Sequence, residues 1–230
     1  MRQVIALLVM GTLLSFAHAD IVTHHLYTPT SLPSEQGWTF ASSGLDEADV
    51  FTLGDGVLIM DTMGSGYSGL PFVYYTYSVD ADEAFSATFR VRARVIASEA
   101  LPHAYPPGFH FTGWVPSWGY RYLFGLDEQD LSLRNLTILD LDTSQWHDYV
   151  LVTEGYHPDG EATLLVDGVE VAFDESMEDG AINNLFAFGD VGFSANAHVE
   201  IAEIEITTFT DTPVAVQATT LSAIKALFAN

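Results

Sequence analysis

The stretch FSATFRVRARVI, residues 85–96, alternates apolar and polar side chains along its length. Apolar residues occupy the odd positions from 85 to 95, and polar residues, three of them arginines, occupy the even positions between them. A period of two residues is that of a β-strand, whose side chains point alternately to the two faces of its sheet. The stretch therefore predicts a long strand with one buried and one solvated face.

The solvated face of this strand is cationic, because Arg90, Arg92 and Arg94 all lie on it. We expect these arginines to pair with acids on neighbouring strands, and Glu203 and Glu205 are good candidates. The alternative is that the arginines bind a uronate or a sulfate.

The chain from residue 20 to 210 contains many more short apolar runs, broken by Gly, Pro, Asn and Asp. Further strands are predicted over residues 38–42, 50–53, 57–61, 72–78, 109–115, 120–126, 136–141, 149–153, 163–173, 185–188 and 199–208. Asp167-Gly168 predicts a two-residue hairpin turn, because both positions tolerate positive φ. A slip in the apolar phase of the last run predicts a β-bulge near Ala202. Many short strands without sustained helical periodicity indicate an all-β sandwich or barrel.

Composition excludes several classes of function. The 230 residues include 31 acids and 7 bases, which gives a formal net charge of −24. A chain with a single lysine lacks the cations that replace counterions along a polyanion, so nucleic acid is not expected as a partner. The absence of cysteine rules out a disulfide scaffold, a cysteine nucleophile and a cysteine-ligated metal. The length and the 48% of hydrophobic residues suit one large all-β domain rather than a disordered chain.

Residues 1–19 have the three parts of a secretory signal peptide. Arg2 supplies a positive charge, residues 4–14 form an apolar run too short to span a bilayer comfortably, and residues 17–19 are Ala-His-Ala. The alternative is an uncleaved anchor. We expect a mature chain that begins at Asp20, has a net charge of 6 − 31 = −25 and contains no later transmembrane segment. Its location would be secreted, periplasmic or at the cell surface, and the lack of cysteine indicates a bacterial source.

Four segments follow one another in an order that resembles a known family. They are the strand at 85–95, a strand at 119–126 that ends in Phe-Gly-Leu, the pattern Asp-Thr-x-x-Trp-His-x-Tyr at 142–149, and the hairpin Leu-x-Val-Asp-Gly within 162–169. This order resembles the concanavalin A-like, or LamG-like, jelly-roll domains of exported bacterial proteins.

The resemblance covers residues 37–209 and implies two antiparallel sheets packed as a jelly-roll sandwich. It delimits a domain at 20–209, with a tail at 210–230, and Trp146 is expected in the core. Because the family mixes sugar binders, adhesion modules and domains of unknown role, the fold alone does not settle the function.

Residues 103–122 combine many aromatic side chains with prolines and glycines. Sugar rings stack their C–H faces on aromatic rings, while their hydroxyls need polar partners, so this segment predicts a carbohydrate-binding platform. The alternative is that the aromatics of its strands fill the core of the sandwich. The candidate ligand-binding residues are Tyr105, His110, Trp114, Trp118, Tyr120, Arg121 and Tyr122.

Catalysis is the less favoured expectation. The hydrolases of this fold carry a Glu-x-Asp-x-x-Glu strand, and the acids of residues 200–205 differ from it in spacing. The lyases use a His with a Tyr and an Arg, which His110, Tyr122 and Arg121 match in composition only. We expect no catalytic residues, and a polysaccharide-degrading enzyme with an atypical site stays the alternative.

Calcium is a possible cofactor, since sandwiches of the resembled kind often hold it between loops. Hard cations prefer several oxygen ligands, and we favour Asp140 and Asp142 together with backbone carbonyls. The alternative is a solvated acidic surface. Zinc is not expected, because the one close histidine pair, His24 and His25, lies in an N-terminal arm to which we assign no role.

Residues 218–228 predict a short C-terminal helical tail, because Leu221, Ile224, Leu227 and Phe228 fall on one helical face. The tail could serve sorting, attachment or docking on a partner, or it could pack on the sandwich. The leading hypothesis is an exported, non-catalytic module that recognises a carbohydrate or another cell-surface partner. A structural or cell-envelope protein that docks through its tail is the second.

Overall fold

The computed structural model describes residues 21–63, 72–79, 86–100, 109–112, 124–133, 136–154, 161–174, 185–190 and 195–210. This part of the chain forms two antiparallel β-sheets and two short helical segments, a 3₁₀ helix at Pro33–Gln36 and an α-helical turn at Glu47–Val50. The predicted all-β sandwich of two antiparallel sheets is confirmed. The predicted signal peptide and the tail after Thr210 lie outside the described residues. Within the described ranges, no helix is long and apolar enough to cross a membrane.

The described strands are β1 (Ile21–Tyr27), β2 (Thr39–Ser42), β3 (Phe51–Gly54), β4 (Val57–Asp61), β5 (Val73–Ser78), β6 (Ser86–Ala100), β7 (Phe109–Thr112), β8 (Phe124–Leu126), β9 (Asp130–Leu133), β10 (Leu136–Asp140), β11 (His147–Glu154), β12 (Glu161–Val166), β13 (Val169–Asp174), β14 (Leu185–Asp190) and β15 (Ala195–Phe209). The first sheet has the order β13-β12-β11-β6-β15-β4-β3, and β1 also pairs with β15. The second sheet has the order β10-β9-β8-β7-β14-β5-β2. Strands distant in sequence are neighbours in both sheets, as a jelly roll requires.

The hydrophobic core lies between the two sheets. Its largest fully buried side chains are Tyr27, Phe51, Leu58, Met60, Tyr75, Phe89, Phe109, Phe111, Tyr149, Phe186 and Phe188. Aromatic rings of the two sheets meet there, for example Phe89 of β6 and Phe186 of β14 with centroids 5.3 Å apart. Full burial of one such side chain contributes about 1.5–3 kcal/mol to folding, so these rings are a main source of stability.

The alternation that predicts the long central strand is confirmed. Ala87, Phe89, Val91, Ala93 and Val95 are all buried between the sheets. Because alternate side chains point the other way, the three arginines of β6 lie on the outer face of the first sheet.

Two local predictions are also confirmed. Asp167 and Gly168 join β12 to β13 with φ values of 50° and 75°, the positive angles that a tight two-residue hairpin needs. The pairing of β15 with β6 shifts register between Ile201 and Glu203, which places a bulge at Ala202.

Two strands have no counterpart in the sequence prediction. β1 pairs with β15 from Ile21 to Tyr27, although its alternation is weakened by adjacent histidines. β9 is a four-residue strand, Asp130–Leu133, that lies between β8 and β10. Both depend on partners elsewhere in the sheets, which a local pattern does not reveal.

Candidate functional site

The central strand of the second sheet carries a histidine on its outer face, the face turned away from the core. β7 is the fourth of seven strands, and its Phe109 and Phe111 are buried in the core. Because side chains alternate along a strand, His110 points to the outer face. This candidate ligand-binding residue therefore projects from the middle of that face.

Small and hydroxylated residues flank His110 across five strands. His110 pairs with Gly125 of β8 and with Gly189 of β14, and beyond these glycines lie Ser132 of β9 and Tyr74 of β5. We call these five residues the His110 face. Its two glycines leave the backbone on either side of the imidazole without side chains, which allows a close approach.

The structure requires glycine at one of these positions more strictly than at the other. A Cβ atom at Gly189 would lie 2.4 Å from the carbonyl oxygen of Val73, and its φ of +137° is one that other residues rarely adopt. A Cβ atom at Gly125 would lie 3.0 Å from Ser132 Oγ and 3.3 Å from His110 Cδ2. An added methyl group at position 125 would therefore press directly on the imidazole.

The His110 imidazole is buried even though it points away from the core. Ser132 is also buried, and its hydroxyl donates a hydrogen bond of 3.2 Å to the carbonyl oxygen of Gly125. Tyr74 and Thr76 of β5 are half-buried and so present polar atoms at the surface of the same sheet. A ligand on this face would meet these hydroxyls, whereas the His110 imidazole has no exposed surface.

The other predicted ligand-binding residues lie outside the described part of the chain. They are Tyr105, Trp114, Trp118, Tyr120, Arg121 and Tyr122. Their segments adjoin β7 at both of its ends and lead into β8. His110 is thus the one member of the predicted set for which a position can be given.

An acidic cleft of about 390 Å³ is the second candidate site. It is lined by Val95, Ile96, Glu128, Gln129, Asp140, Leu141, Asp142 and Ser144. The predicted calcium ligands Asp140 and Asp142 thus face the same cleft as Glu128. Among the residues with described positions, no group of three or more acidic or histidine side chains is placed to hold a metal ion. Calcium binding by this pair stays a prediction.

Hydrogen bonds to nearby serines occupy part of the carboxylates in the cleft. Glu128 Oε1 accepts a hydrogen bond of 2.7 Å from the backbone N–H of Ser98. Asp142 Oδ1 accepts from the hydroxyl and the backbone N–H of Ser144, at 2.5 and 3.2 Å. The bond from the Ser144 hydroxyl is the main cause that lowers the pKa of Asp142, so this carboxylate is charged at neutral pH.

The arginines on the outer face of the first sheet are paired with acids, as expected. Arg90 lies 3.0 Å from Asp148, 2.5 Å from Glu203 and 3.3 Å from Glu205. Partial burial alone would lower the pKa of Arg90, but the carboxylates of Asp148 and Glu203 outweigh it and raise the pKa. Arg90 is therefore charged and held within the fold.

Arg94 pairs with Glu200 at 2.6 Å and also lies over an aromatic ring. Its guanidinium carbon is 5.0 Å from the ring centroid of Trp146, a cation–π distance. Trp146 is half-buried beside this arginine. The expectation that Trp146 is a core residue is wrong, because the ring packs against Arg94 on the outer face and is half-buried instead of entering between the sheets.

The expectation that His24 and His25 have no role is also wrong. His24 Nε2 lies 2.9 Å from a carboxylate oxygen of Glu205. His25 Nε2 accepts a hydrogen bond of 3.0 Å from the indole N–H of Trp38, and its ring stacks on Tyr77 with centroids 4.1 Å apart. Both histidines therefore attach β1 to the sandwich.

No protein-family model and no curated protein matches the sequence. Solved structures do share its fold. An alginate lyase of polysaccharide lyase family 7 is 12% identical with a TM-score of 0.52, and the match covers 78% of this chain and 99% of that one. An endo-1,3-β-glucanase from Streptomyces sioyaensis is 10% identical with a TM-score of 0.50, covering 84% and 97%.

A Bacillus licheniformis β-glucanase is 9% identical with a TM-score of 0.51, and the match covers 82% of this chain and 98% of that one. At these identities the likeness shows the fold alone. The chain has the concanavalin A-like jelly-roll fold that the resemblance implies.

Proposed function

We propose that this protein is an exported, non-catalytic recognition module of the LamG-like kind that binds a carbohydrate through the outer face of its second sheet. The observation that carries the proposal is the His110 face at the centre of that sheet. The hydroxyls of Tyr74 and Thr76 lie on the same outer face, the adjoining segment 113–123 is rich in aromatic residues, and the segment 101–108 contains Tyr105. Hydroxyl partners combined with aromatic rings are what a sugar ring needs.

Charge favours a neutral glycan as the ligand. The chain carries a net charge of −24, which repels uronates and sulfates. The arginines on the first sheet that could offset this charge, Arg90, Arg92 and Arg94, are each paired with a carboxylate of the chain itself. These three are the only Arg or Lys side chains in the described ranges, so an anionic sugar would depend on Arg121 among the predicted ligand-binding residues.

The signal-like residues 1–19 support export to the periplasm, the cell surface or the medium. Calcium assistance stays a prediction that rests on Asp140 and Asp142, which line one cleft. Asp140 ends β10 and Asp142 lies in the connection from β10 to β11, outside the five strands of the His110 face, so calcium would act there on this connection rather than on the sugar.

A glycan array with the purified full chain, read first in calcium and then in EDTA, tests the proposal. We expect selective binding of neutral oligosaccharides. Trp118→Ala should weaken that binding about ten-fold, which corresponds to the loss of one stacked ring, about 1.4 kcal/mol. Trp146→Ala is the matched control, because it removes the same kind of side chain from beside Arg94, on the outer face of the first sheet.

Three outcomes would contradict the proposal. If no glycan on the array bound, carbohydrate recognition would be refuted. If Trp118→Ala and Trp146→Ala lost the same amount of glycan affinity, the outer face of the second sheet would be refuted as the binding surface. If the protein cleaved a bound oligosaccharide, the non-catalytic hypothesis would give way to the polysaccharide-degrading enzyme, for which His110, Arg121 and Tyr122 match the lyases in composition.

A further inference from the structure

The strands β11 and β12 are buried on both of their faces. Tyr149 and Leu151 of β11 point into the core and are fully buried. Val150 and Val152 point outward, and yet only 7% and 4% of their surfaces are exposed; the neighbouring Leu165 of β12 is 7% exposed. We call Val150, Val152 and Leu165 the outer patch. They form a hydrophobic cluster of their own, separate from the main core.

The outer patch differs from the rest of its face. The neighbouring strands β6 and β15 present charged residues there, and Arg90, beside Val150, reaches its guanidinium to Glu203 and Glu205 of β15. A strand with one solvated face alternates apolar and polar residues, whereas a continuous apolar run such as Tyr-Val-Leu-Val at 149–152 is typical of a strand covered on both faces. The outer patch is therefore a covered surface rather than a solvated one, and part of the chain must pack on it.

The last described strand ends at the level of this patch. In the first sheet Thr207 of β15 pairs with Thr88 of β6, which pairs with Val152 of β11. Two strand spacings separate Thr207 from Val152, a distance of about 10 Å. The chain therefore leaves β15 close to the outer patch.

The residues that follow can reach the patch and carry a face that fits it. From Thr210 to Leu221 the chain advances eleven residues, which span up to about 35 Å when extended. Residues 218–228 then place Leu221, Ile224, Leu227 and Phe228 on one helical face. So short a helix is marginal alone in water, and it needs an apolar surface to pack on.

We propose that residues 218–228 form an amphipathic helix that docks this apolar face on the outer patch of the same chain. The helix covers the first sheet, on the opposite side of the sandwich from the His110 face. Docking therefore leaves the proposed sugar-binding surface free, and it is independent of whether that surface binds sugar.

Single-cysteine labelling of the full chain tests the docking, because the natural chain has no cysteine. Ile224→Cys places the thiol on the apolar face of the helix, and Ser222→Cys places one near the opposite face. We expect a maleimide to label the thiol at 224 at least about ten-fold more slowly than the thiol at 222, because burial limits thiol reactivity.

A second substitution locates the surface that protects the thiol. Val152→Ser in the Ile224→Cys background should raise the labelling rate to that of Ser222→Cys. Ile59→Ser is the matched control, because Ile59 is half-buried on the outer face of β4, beyond β15, and should leave the protection intact. A circular dichroism melt verifies that each variant is folded.

Equal labelling rates at 222 and 224 would overturn the docking without any need for the patch variant. Protection that survives Val152→Ser in a folded protein would place the helix elsewhere and would also overturn it. If protection of the thiol at 224 increased with protein concentration, the helix would be docking on a second copy of the chain, which would contradict the proposal.

Discussion

Arg90 is the most informative single position in the first sheet, because it joins three strands by charge. Its side chain is 15% exposed and lies within 3.3 Å of Asp148 on β11 and of Glu203 and Glu205 on β15. Replacing Arg90 with Met keeps the apolar stem and removes the guanidinium. Three carboxylates would then lie close together without a central cation.

The size of the effect follows from the burial of these groups. Breaking a fully buried pair costs about 3–5 kcal/mol, and an exposed pair contributes at most about 1 kcal/mol. The intermediate burial around Arg90 predicts a loss of about 2–3 kcal/mol, or a fall in Tm of about 4–12 °C for a domain of this size. Arg92→Met is the control: Arg92 is 47% exposed and 3.7 Å from Asp148, so its loss should cost under about 1 kcal/mol.

Urea unfolding of both variants at low and at high salt measures the difference. Salt should restore part of the stability of Arg90→Met, because it screens the repulsion among the carboxylates. Adding Glu203→Gln to Arg90→Met should also recover stability. Equal losses for Arg90→Met and Arg92→Met, or a loss that salt does not change, would refute the reasoning that the network acts through charge.

Three further predictions concern backbone, pH and metal. Measured by urea unfolding, Gly189→Ala should lower the free energy of unfolding by more than about 3 kcal/mol or abolish folding, whereas Gly125→Ala should lower it by about 1–2 kcal/mol. Equal losses in the two variants would contradict the packing argument. Partial burial and, to a smaller extent, the neighbouring His24 lower the pKa of His25 from 6.5, so its contribution to the unfolding free energy is full above pH 6.5 and declines as the pH falls below it. His25→Phe should remove this part of the pH dependence of stability, and an unchanged pH profile of the unfolding free energy would count against it. Millimolar calcium should raise the Tm of the wild type and not that of Asp142→Asn; the same response in both would exclude the acidic cleft.

The parts of the fold predictable from sequence are those with a strong local pattern. The strand at 85–96 has a strict period of two, and Asp167-Gly168 is a turn specified by two neighbouring residues. β1 shows the limit, because its partner strand β15, including the Glu205 that contacts His24, lies far along the chain. Trp146 shows the same limit: its burial depends on Arg94, which arrives from another strand.

The candidate site was accessible to sequence reasoning only through its residue types. His110 stands out among aromatic neighbours, whereas Tyr74 and Ser132 look like ordinary strand residues. The order of the strands brings them to one face, and long-range pairing of this kind leaves no local signal. Gly125, inside a predicted strand, was the one available hint, since glycine there often marks a close approach.

The binding surface is tested most directly by a hydrogen-exchange footprint of the full chain with and without the neutral oligosaccharide that binds best on the array. The account predicts slower exchange on binding at β5, β7, β8 and β14, and unchanged exchange at β6, β11 and β15. Slower exchange confined to the first sheet would contradict the assignment of the His110 face as the carbohydrate-binding surface.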